Sequence, residues 1–201
     1  MIGEYTTRNS PEGAPLMGNS LFAERSTWSN SPSTSINNIQ NDIDIIASSS
    51  NGFGLRSDDH PNSIAAAVPV ITNGSRFSQY GIIGEPGDVD VFWFDTPSGN
   101  VTLSVEVTEF GPNLDSKVEL RRADGTIIKS ASQSDSLESS LTANVTAGRY
   151  YAVVRGAGQY GDLGRYSLRG WLPSGGSSIA NITGPNELVV GQTGSFVLDV
   201  N

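Results

Sequence analysis

The sequence predicts an all-β protein: an antiparallel β-sandwich of jelly-roll-like type, with an irregular N-terminal tail and a short C-terminal strand segment. Three observations predict this class. Apolar and polar residues alternate with period two over short runs, turn residues separate the runs at short intervals, and hardly a helical pattern lies between them. Only residues 62–68 leave two interpretations open, a short helix or an apolar edge strand.

Each predicted strand is a short run of alternating residues or of β-branched and aromatic ones. Residues 101–107 (VTLSVEV) are typical, because every second residue is apolar, as in a strand that is buried on one face. Asp124 and Gly125 predict a hairpin turn, because both residues tolerate positive φ. The other strand runs are residues 91–94, 118–120, 126–128, 150–154 and 166–168.

Composition excludes several classes of function. The chain of 201 residues has 12 Lys and Arg against 21 Asp and Glu, a net charge of −9 and no basic run, so nucleic-acid binding is not expected. No apolar stretch approaches the roughly 20 residues of a membrane-spanning helix, so membrane insertion is not expected either. Cysteine is absent, which excludes disulfides and zinc–thiolate sites, and there is one histidine, His60. A monomer is the expected state.

Changes in composition and hydrophobic pattern along the chain predict three parts. Residues 1–56 are polar and irregular, residues 57–173 contain the strand pattern, and residues 174–201 begin with a Gly/Ser-rich linker followed by an incomplete strand pattern. The length suits one domain of roughly 100–150 residues with further pieces at its ends.

The central part resembles the bacterial pre-peptidase C-terminal domain. Residues 84–94 (GEPGDVDVFWF) look like the DxDxFxF strand of that family, and the other matching motifs follow in the same order along the chain. The resemblance covers more than half the chain and implies a β-sandwich that accompanies a secreted enzyme. The other motifs are the lead-in 59–63 (DHPNS), the hairpin 124–126 (DGT), 147–151 (AGRYY) and 164–168 (GRYSL).

Both ends resemble other families. Residues 14–18 (APLMG) and 51–60 (NGFGLRSDDH) are similar to the end of a reprolysin-like zinc metallopeptidase, in which Met17 matches the methionine of the Met-turn. The chain departs from that family because it lacks H-E-x-x-H-x-x-G-x-x-H, so zinc is expected only in a catalytic region outside it. Residues 182–196 (ITGPNELVVGQTGSF) are similar to the start of an immunoglobulin-like or polycystic-kidney-disease-like repeat.

Calcium is the candidate cofactor. Asp58, Asp59, Asn62, Asp88 and Asp90 offer the hard oxygen ligands that calcium takes. Some members of the resembled family hold calcium with an acidic, amide-containing lead-in and the first Asp of the DxD turn. That resemblance assigns Asp59 and Asn62 to the lead-in and Asp88 to the turn, and Asp90 of the same turn is a further candidate ligand. The alternative is that the two turn acids cap the turn through Asx-type hydrogen bonds while the lead-in acids are solvated. His60 is expected to be solvated as well.

Trp93, Tyr151 and Trp171 form the candidate binding surface, for an extracellular protein or a polysaccharide. Flat aromatic faces suit such partners, whereas aromatic residues in strands also serve in the core and in cross-strand packing. Both interpretations remain open for these residues.

The resemblances together imply a non-catalytic accessory domain from the C-terminal region of a secreted bacterial zinc metallopeptidase, serving export or the binding of substrate or a surface. No signal peptide begins the chain, and the expectation is a fragment of an extracellular parent. Two alternatives stay open: a free-standing adhesin-like or carbohydrate-binding module, and a fragment of an active metallopeptidase whose H-E-x-x-H half lies upstream.

The purified chain is predicted to lack peptidase activity with added zinc, because one histidine cannot supply the three that this enzyme class needs. Hydrolysis of a quenched fluorescent peptide library, with and without a zinc chelator, checks this. Zinc-dependent turnover that copurifies with the chain would contradict it.

Overall fold

The computed structural model of the chain describes residues 14–15, 25–28, 30, 41–52, 54–174, 179–183 and 197–200. Nearly all of its regular structure is β. The described elements, in chain order, are β1 (Ala14–Pro15), β2 (Ser26–Thr27), α1 (Asp42–Ile46), a 3-10 helix (Ile64–Ala66), β3 (Val68–Pro69), β4 (Thr72–Asn73), β5 (Arg76–Ile83), β6 (Val89–Thr96), β7 (Gly99–Val107), β8 (Ser116–Arg121), β9 (Ile127–Ala131), β10 (Ser139–Val145), β11 (Gly148–Gly156), β12 (Gly164–Trp171), β13 (Ile179–Thr183) and β14 (Val197–Val200).

Two five-stranded sheets pack face to face, which confirms the predicted β-sandwich. Sheet A has the strand order β10-β7-β12-β5-β4, and sheet B has the order β3-β6-β11-β8-β9. From β5 to β12 the chain changes sheet at every connection except the β8–β9 hairpin. All pairs within the sheets are antiparallel apart from the short β3 beside β6. The strands β1 and β2 pair with each other, as do β13 and β14.

The core lies between the sheets and follows from the period-two pattern. Phe92 and Phe94 of β6 point inward from sheet B, and Leu103 of β7 and Leu168 of β12 meet them from sheet A. All four side chains are almost completely buried. Burying a large apolar side chain stabilises a fold by about 1.5–3 kcal/mol relative to leaving it exposed. Alternation along each strand therefore decides which face of each sheet is inside.

The predicted hairpin at Asp124 and Gly125 joins β8 to β9. Gly125 has φ +85° and its N–H donates to the carbonyl of Arg122 over 3.0 Å. The carboxylate of Asp124 accepts from the N–H of Thr126 over 2.9 Å. Glycine is favoured here because it adopts positive φ without a steric penalty.

The segment before β4 takes both of the forms left open for residues 62–68. It forms the 3-10 helix at Ile64–Ala66 and then β3 at Val68–Pro69, which extends sheet B beside β6. The segment also covers part of the outer face of sheet B. There it packs on a small buried cluster formed by Val91, Tyr151 and Val153.

Part of the N-terminal region contacts the loop between β11 and β12. Arg25 lies 3.4 Å from the buried carboxylate of Asp162, and the Thr27 hydroxyl donates to the carbonyl of Gly161 over 3.0 Å. Asp162 also accepts from the N–H groups of Gly158 and Gln159, so it holds the loop in shape. The division into three parts remains a prediction. Within the described residues, no helix is both long enough and apolar enough to cross a membrane.

Substituting Gly170 by Ala is predicted to lower the free energy of unfolding by about 1–3 kcal/mol, as overpacking of a core does. A β-carbon at this position of β12 would collide with the ring of Phe77. Urea denaturation measures the change. Gly84→Ala is the matched control, since its nearest neighbour is the Asp88 Oδ2 atom at 3.6 Å. Equal unfolding midpoints for the two variants would count against this packing.

Candidate metal centre

The lead-in segment 58–62 lies against the first residues of β6. The N–H of Val91 donates to the carbonyl of Pro61 over 3.1 Å, and the N–H of Val89 donates to the Asn62 side-chain oxygen over 2.7 Å. These two bonds hold the lead-in beside the strand that carries Asp90. Acids far apart in the sequence are thereby brought together.

The lead-in is also braced internally. One carboxylate oxygen of Asp58 accepts from the N–H of His60 over 3.0 Å, and the other accepts from the amide of Asn62 over 2.7 Å. This is an Asx-type turn, which the sequence offered as the alternative for Asp88 and Asp90 instead. Asn62 thus acts as a brace, that is, a link between Asp58 and Val89: its amide N–H donates to Asp58, and its side-chain oxygen accepts from the N–H of Val89.

Three carboxylates converge at this point. Asp58, Asp88 and Asp90 each place one oxygen within 4.8 Å of the others. Asp59, His60 and Asp90 form a second group with the same spacing, so Asp90 belongs to both. Four of the five residues proposed from the sequence therefore contribute side-chain ligand atoms to these groups, while Asn62 supports the lead-in.

The two turn acids are buried. Asp88 is 7% exposed and Asp90 is 0% exposed. Asp88 Oδ2 accepts from the N–H of Gly84 over 2.6 Å, and Asp90 Oδ2 accepts from the hydroxyl of Tyr166. The Oδ1 atom of each has no hydrogen-bond partner among the described residues. Leaving a buried polar atom unpaired costs about 1–3 kcal/mol, so each Oδ1 atom calls for a proton, a water or a cation.

The pKa of Asp90 is raised from 3.8 to about 8, chiefly by burial and also by the negative charges of Asp88, Asp59 and Asp58, against the lowering effect of the Tyr166 hydrogen bond. Burial likewise raises the pKa of Asp88, opposed by the hydrogen bond from Gly84. The pKa of the Tyr166 hydroxyl is raised by its own burial and by Asp90, so it remains a donor. A cation bound here would favour the charged carboxylates instead.

His60 and Tyr166 are the residues whose positions the sequence did not reveal. The His60 ring is partly buried, not solvated: its Nε2 atom lies 2.8 Å from the carbonyl of Tyr80, and the ring packs edge-on against Phe92 with 4.7 Å between centroids. Tyr166 reaches Asp90 because Gly81 lies between them, where a β-carbon would collide with the tyrosine hydroxyl. Gly81 on β5 was the feature of the sequence that could have indicated this contact between Tyr166 and Asp90.

Another buried carboxylate, Glu119, lies on the outer face of sheet B and is neutralised by basic side chains. Its oxygens accept from Arg155 over 2.7 Å and from Arg121 over 2.8 Å, and Lys117 lies 3.5 Å away. Burial alone would raise the pKa of Glu119, but the hydrogen bonds from Arg155 and Arg121 outweigh it and the pKa is lowered. This cluster is a satisfied ion network that joins β8 to β11.

The structure brings two of the three candidate surface aromatics together. Trp93 and Tyr151 are directly opposite each other on β6 and β11, on the outer face of sheet B. The guanidinium of Arg149 lies 3.7 Å from the Trp93 ring centroid, and Tyr151 is mostly buried. Trp171 lies on β12 of sheet A, in the other layer of the sandwich. The remaining candidate, Met17, lies outside the described residues.

Comparisons with known proteins find similar structures only. No family model matches the chain, and no curated protein matches it significantly. Among solved structures, the pre-peptidase C-terminal domain of a collagenase from Bacillus anthracis is 20% identical, with 56% of this chain and 99% of that chain covered and a TM-score of 0.41. PliG from Aeromonas hydrophila, a periplasmic inhibitor of g-type lysozyme, is 12% identical, with 53% and 95% covered and a TM-score of 0.41.

These two neighbours have different stated roles. A shared fold does not carry function, which depends on the chemistry of particular sites. The resemblances of the two chain ends to a metallopeptidase and to an immunoglobulin-like repeat are not shown by these comparisons and stay predictions.

The fold is predicted to lose stability as the pH rises from about 4 to about 8 in calcium-free buffer. In that range folded Asp90 keeps a proton that the unfolded chain has released, because its pKa is raised from 3.8 to about 8. Protonation therefore stabilises the folded state, and this contribution is lost above the folded pKa.

Urea denaturation across this pH range measures the effect, and Asp90→Asn should show a smaller decrease in the free energy of unfolding. Glu106→Gln, an acid on a different face, should keep the slope of the unmodified protein. An unchanged slope in a folded Asp90→Asn variant would remove Asp90 as the cause.

Proposed function

We propose that this chain is a non-catalytic accessory β-sandwich from the C-terminal region of a secreted bacterial zinc metallopeptidase, acting in the binding of a substrate or surface. Calcium held by Asp58, Asp88 and Asp90 would fix the lead-in segment to the sandwich. One observation carries the calcium site: two buried carboxylate oxygens without hydrogen-bond partners among the described residues belong to a group of three converging acids.

The residues present fit calcium. Calcium takes six to eight hard oxygen ligands, and carboxylates, backbone carbonyls and water all serve. Asp58, Asp88 and Asp90 supply carboxylates, and Asp59 adds negative charge next to them. The alternative group with His60 mixes nitrogen and oxygen donors, which suits transition metals better. The all-oxygen group is favoured because both acids that have an unpartnered oxygen, Asp88 and Asp90, belong to it.

The contribution of the chain is to hold the ligands in place. Asn62 ties Asp58 to the start of β6, and the N–H of Gly84 orients Asp88 in the turn. A bound cation would relieve the repulsion between acids that otherwise raises the pKa values of Asp88 and Asp90. The chain immediately before Asp58 would then enter the sandwich in a fixed direction.

The non-catalytic part of this proposal is supported by the residues that the sequence contains. The histidine-rich zinc motif of metallopeptidases is missing, and His60 is engaged by the Tyr80 carbonyl and the Phe92 ring. Zinc chemistry is accordingly assigned to the parent's catalytic region, and secretion follows from the proposed parent.

A second candidate function is a carbohydrate-binding module. Exposed aromatic residues on a hydroxyl-rich sheet favour it, since aromatic rings and hydroxyl groups offer the two kinds of contact that a sugar makes. Tyr80 and Trp171 are exposed on sheet A, among serine and threonine residues.

Calcium is predicted to raise the melting temperature of the chain by several degrees, because a ligand that binds only the folded state stabilises it by mass action. Differential scanning calorimetry with millimolar calcium and with a chelator measures the shift. Asp88→Asn should abolish it while preserving the shape of the turn. Asp124→Asn, which removes an exposed acid from the β8–β9 hairpin, should leave the shift intact. A folded protein that shows no shift in calcium eliminates the metal centre.

A further inference from the structure

The outer face of sheet A is polar, and the outward side chains of its four long strands are all exposed or half-buried among the described residues. Its outward positions belong to β10, β7, β12 and β5, whose alternate residues fill the core. Threonine and asparagine side chains pair across this face: the hydroxyls of Thr102 and Thr142 are 2.8 Å apart, and the Asn144 amide donates to Asn100 over 3.0 Å. Rows of hydroxyl and amide groups at sheet spacing can hydrogen-bond to a flat polyhydroxyl ligand.

Two large aromatic side chains project from this face. Tyr80 is 74% exposed on β5, and Trp171 is 36% exposed on β12. Trp171 is directly opposite Arg76 of β5. Tyr80 lies four residues after Arg76 on that strand, so the two aromatic side chains are separated by about 14 Å along the sheet at the usual rise per residue. Such a spacing suits an extended polymer better than a small molecule.

The face is positively charged on a protein that is strongly acidic. Arg76, Arg165 and Arg169 oppose a single acid, Glu106, which gives a net charge of +2 from three positive and one negative side chain. The whole chain carries −9. Arg169 is paired with Glu106 at 2.8 Å, whereas neither Arg76 nor Arg165 has an acidic partner among the described residues.

Each exposed aromatic has one of these two arginines close by. Trp171 and Arg76 are direct cross-strand neighbours. Tyr80 is opposite Ser167, so Arg165, two residues earlier on β12, is its diagonal neighbour at about 7–8 Å. The same combination of an aromatic ring and a guanidinium is therefore presented twice along the sheet.

We infer that the outer face of sheet A binds an acidic polysaccharide, a role that specifies the partner of the surface binding proposed above. The aromatic rings would pack on sugar faces, Arg76 and Arg165 would each bind a carboxylate or sulfate group, and the hydroxyl and amide rows would bind sugar hydroxyls. Arginine suits this task because its planar fork donates two parallel hydrogen bonds to such groups. A nucleic acid fits less well, because the chain lacks the basic run with which a protein follows a phosphate backbone.

Affinity electrophoresis of the full chain tests the assignment, with dextran sulfate, polygalacturonate, uncharged dextran and single-stranded DNA as separate probes. Retardation by either acidic polysaccharide but not by dextran is expected, and the comparison of those two probes tells sulfate from carboxylate recognition. Arg76→Gln combined with Arg165→Gln should weaken binding about tenfold, and Tyr80→Ser about three- to tenfold. Arg122→Gln, an exposed arginine on the β8–β9 turn, is the matched control and should bind normally.

Several results would overturn the assignment. They are the absence of binding to both acidic polymers, equal binding of uncharged dextran, unchanged binding by the face variants, or DNA binding of equal strength that the same variants abolish. The melting temperature of each variant shows that it is folded. Binding is measured with calcium and with a chelator, because the acidic cluster adjoins one end of the face, where His60 contacts the carbonyl of Tyr80. Failure of the calcium response with intact polysaccharide binding removes only the metal centre, and the reverse result removes only this face.

Discussion

The inward register of β6 is the constraint on which the candidate site depends. Phe92 and Phe94 fill the centre of the sandwich, so every second residue of this strand must point the same way. Asp90 has the same parity as the two phenylalanines and is therefore carried into the interior, with Asp88 at the entrance. A shift of the strand by one residue would place Asp90 on the outer face, but it would also expose the rings of Phe92 and Phe94. The burial of Asp90 is therefore a consequence of packing the core.

The rest of the molecule compensates for these buried acids. Tyr166 supplies a hydroxyl from sheet A, Gly81 leaves the space for it, and the turn at Gly84 supplies a backbone N–H. The lead-in then closes over the remaining side and brings Asp58 with it. The stability of the fold and the candidate metal centre consequently depend on the same carboxylates. When they are unpaired, their burial lowers the free energy of unfolding, and when they are charged, they are suitable metal ligands.

The two outer faces of the sandwich differ in how far they are covered. On sheet B, the segment around the 3-10 helix packs on the strands, Arg149 stacks on Trp93, and Glu119 binds its surrounding cations. Sheet A has no such cover in the described part of the chain, and its long strands present Tyr80 and Trp171 to solvent. The outer face of sheet B is therefore used for packing within the protein, whereas the outer face of sheet A has side chains that a partner can contact.

The sequence by itself determined the sandwich class and the hairpin at Asp124 and Gly125, because period-two alternation and turn residues are local properties. The acids of the lead-in and the turn were proposed from a family resemblance, and their use as metal ligands stays a prediction. Only the tertiary structure decided that Tyr166 pairs with Asp90, that Asn62 serves as a brace, and that Trp171 lies in a different layer from Trp93. Those outcomes depend on which strands become neighbours. Alternation specifies the face of its own sheet that a side chain occupies, but contacts between residues as far apart as Asp90 and Tyr166 arise from the packing of the two sheets.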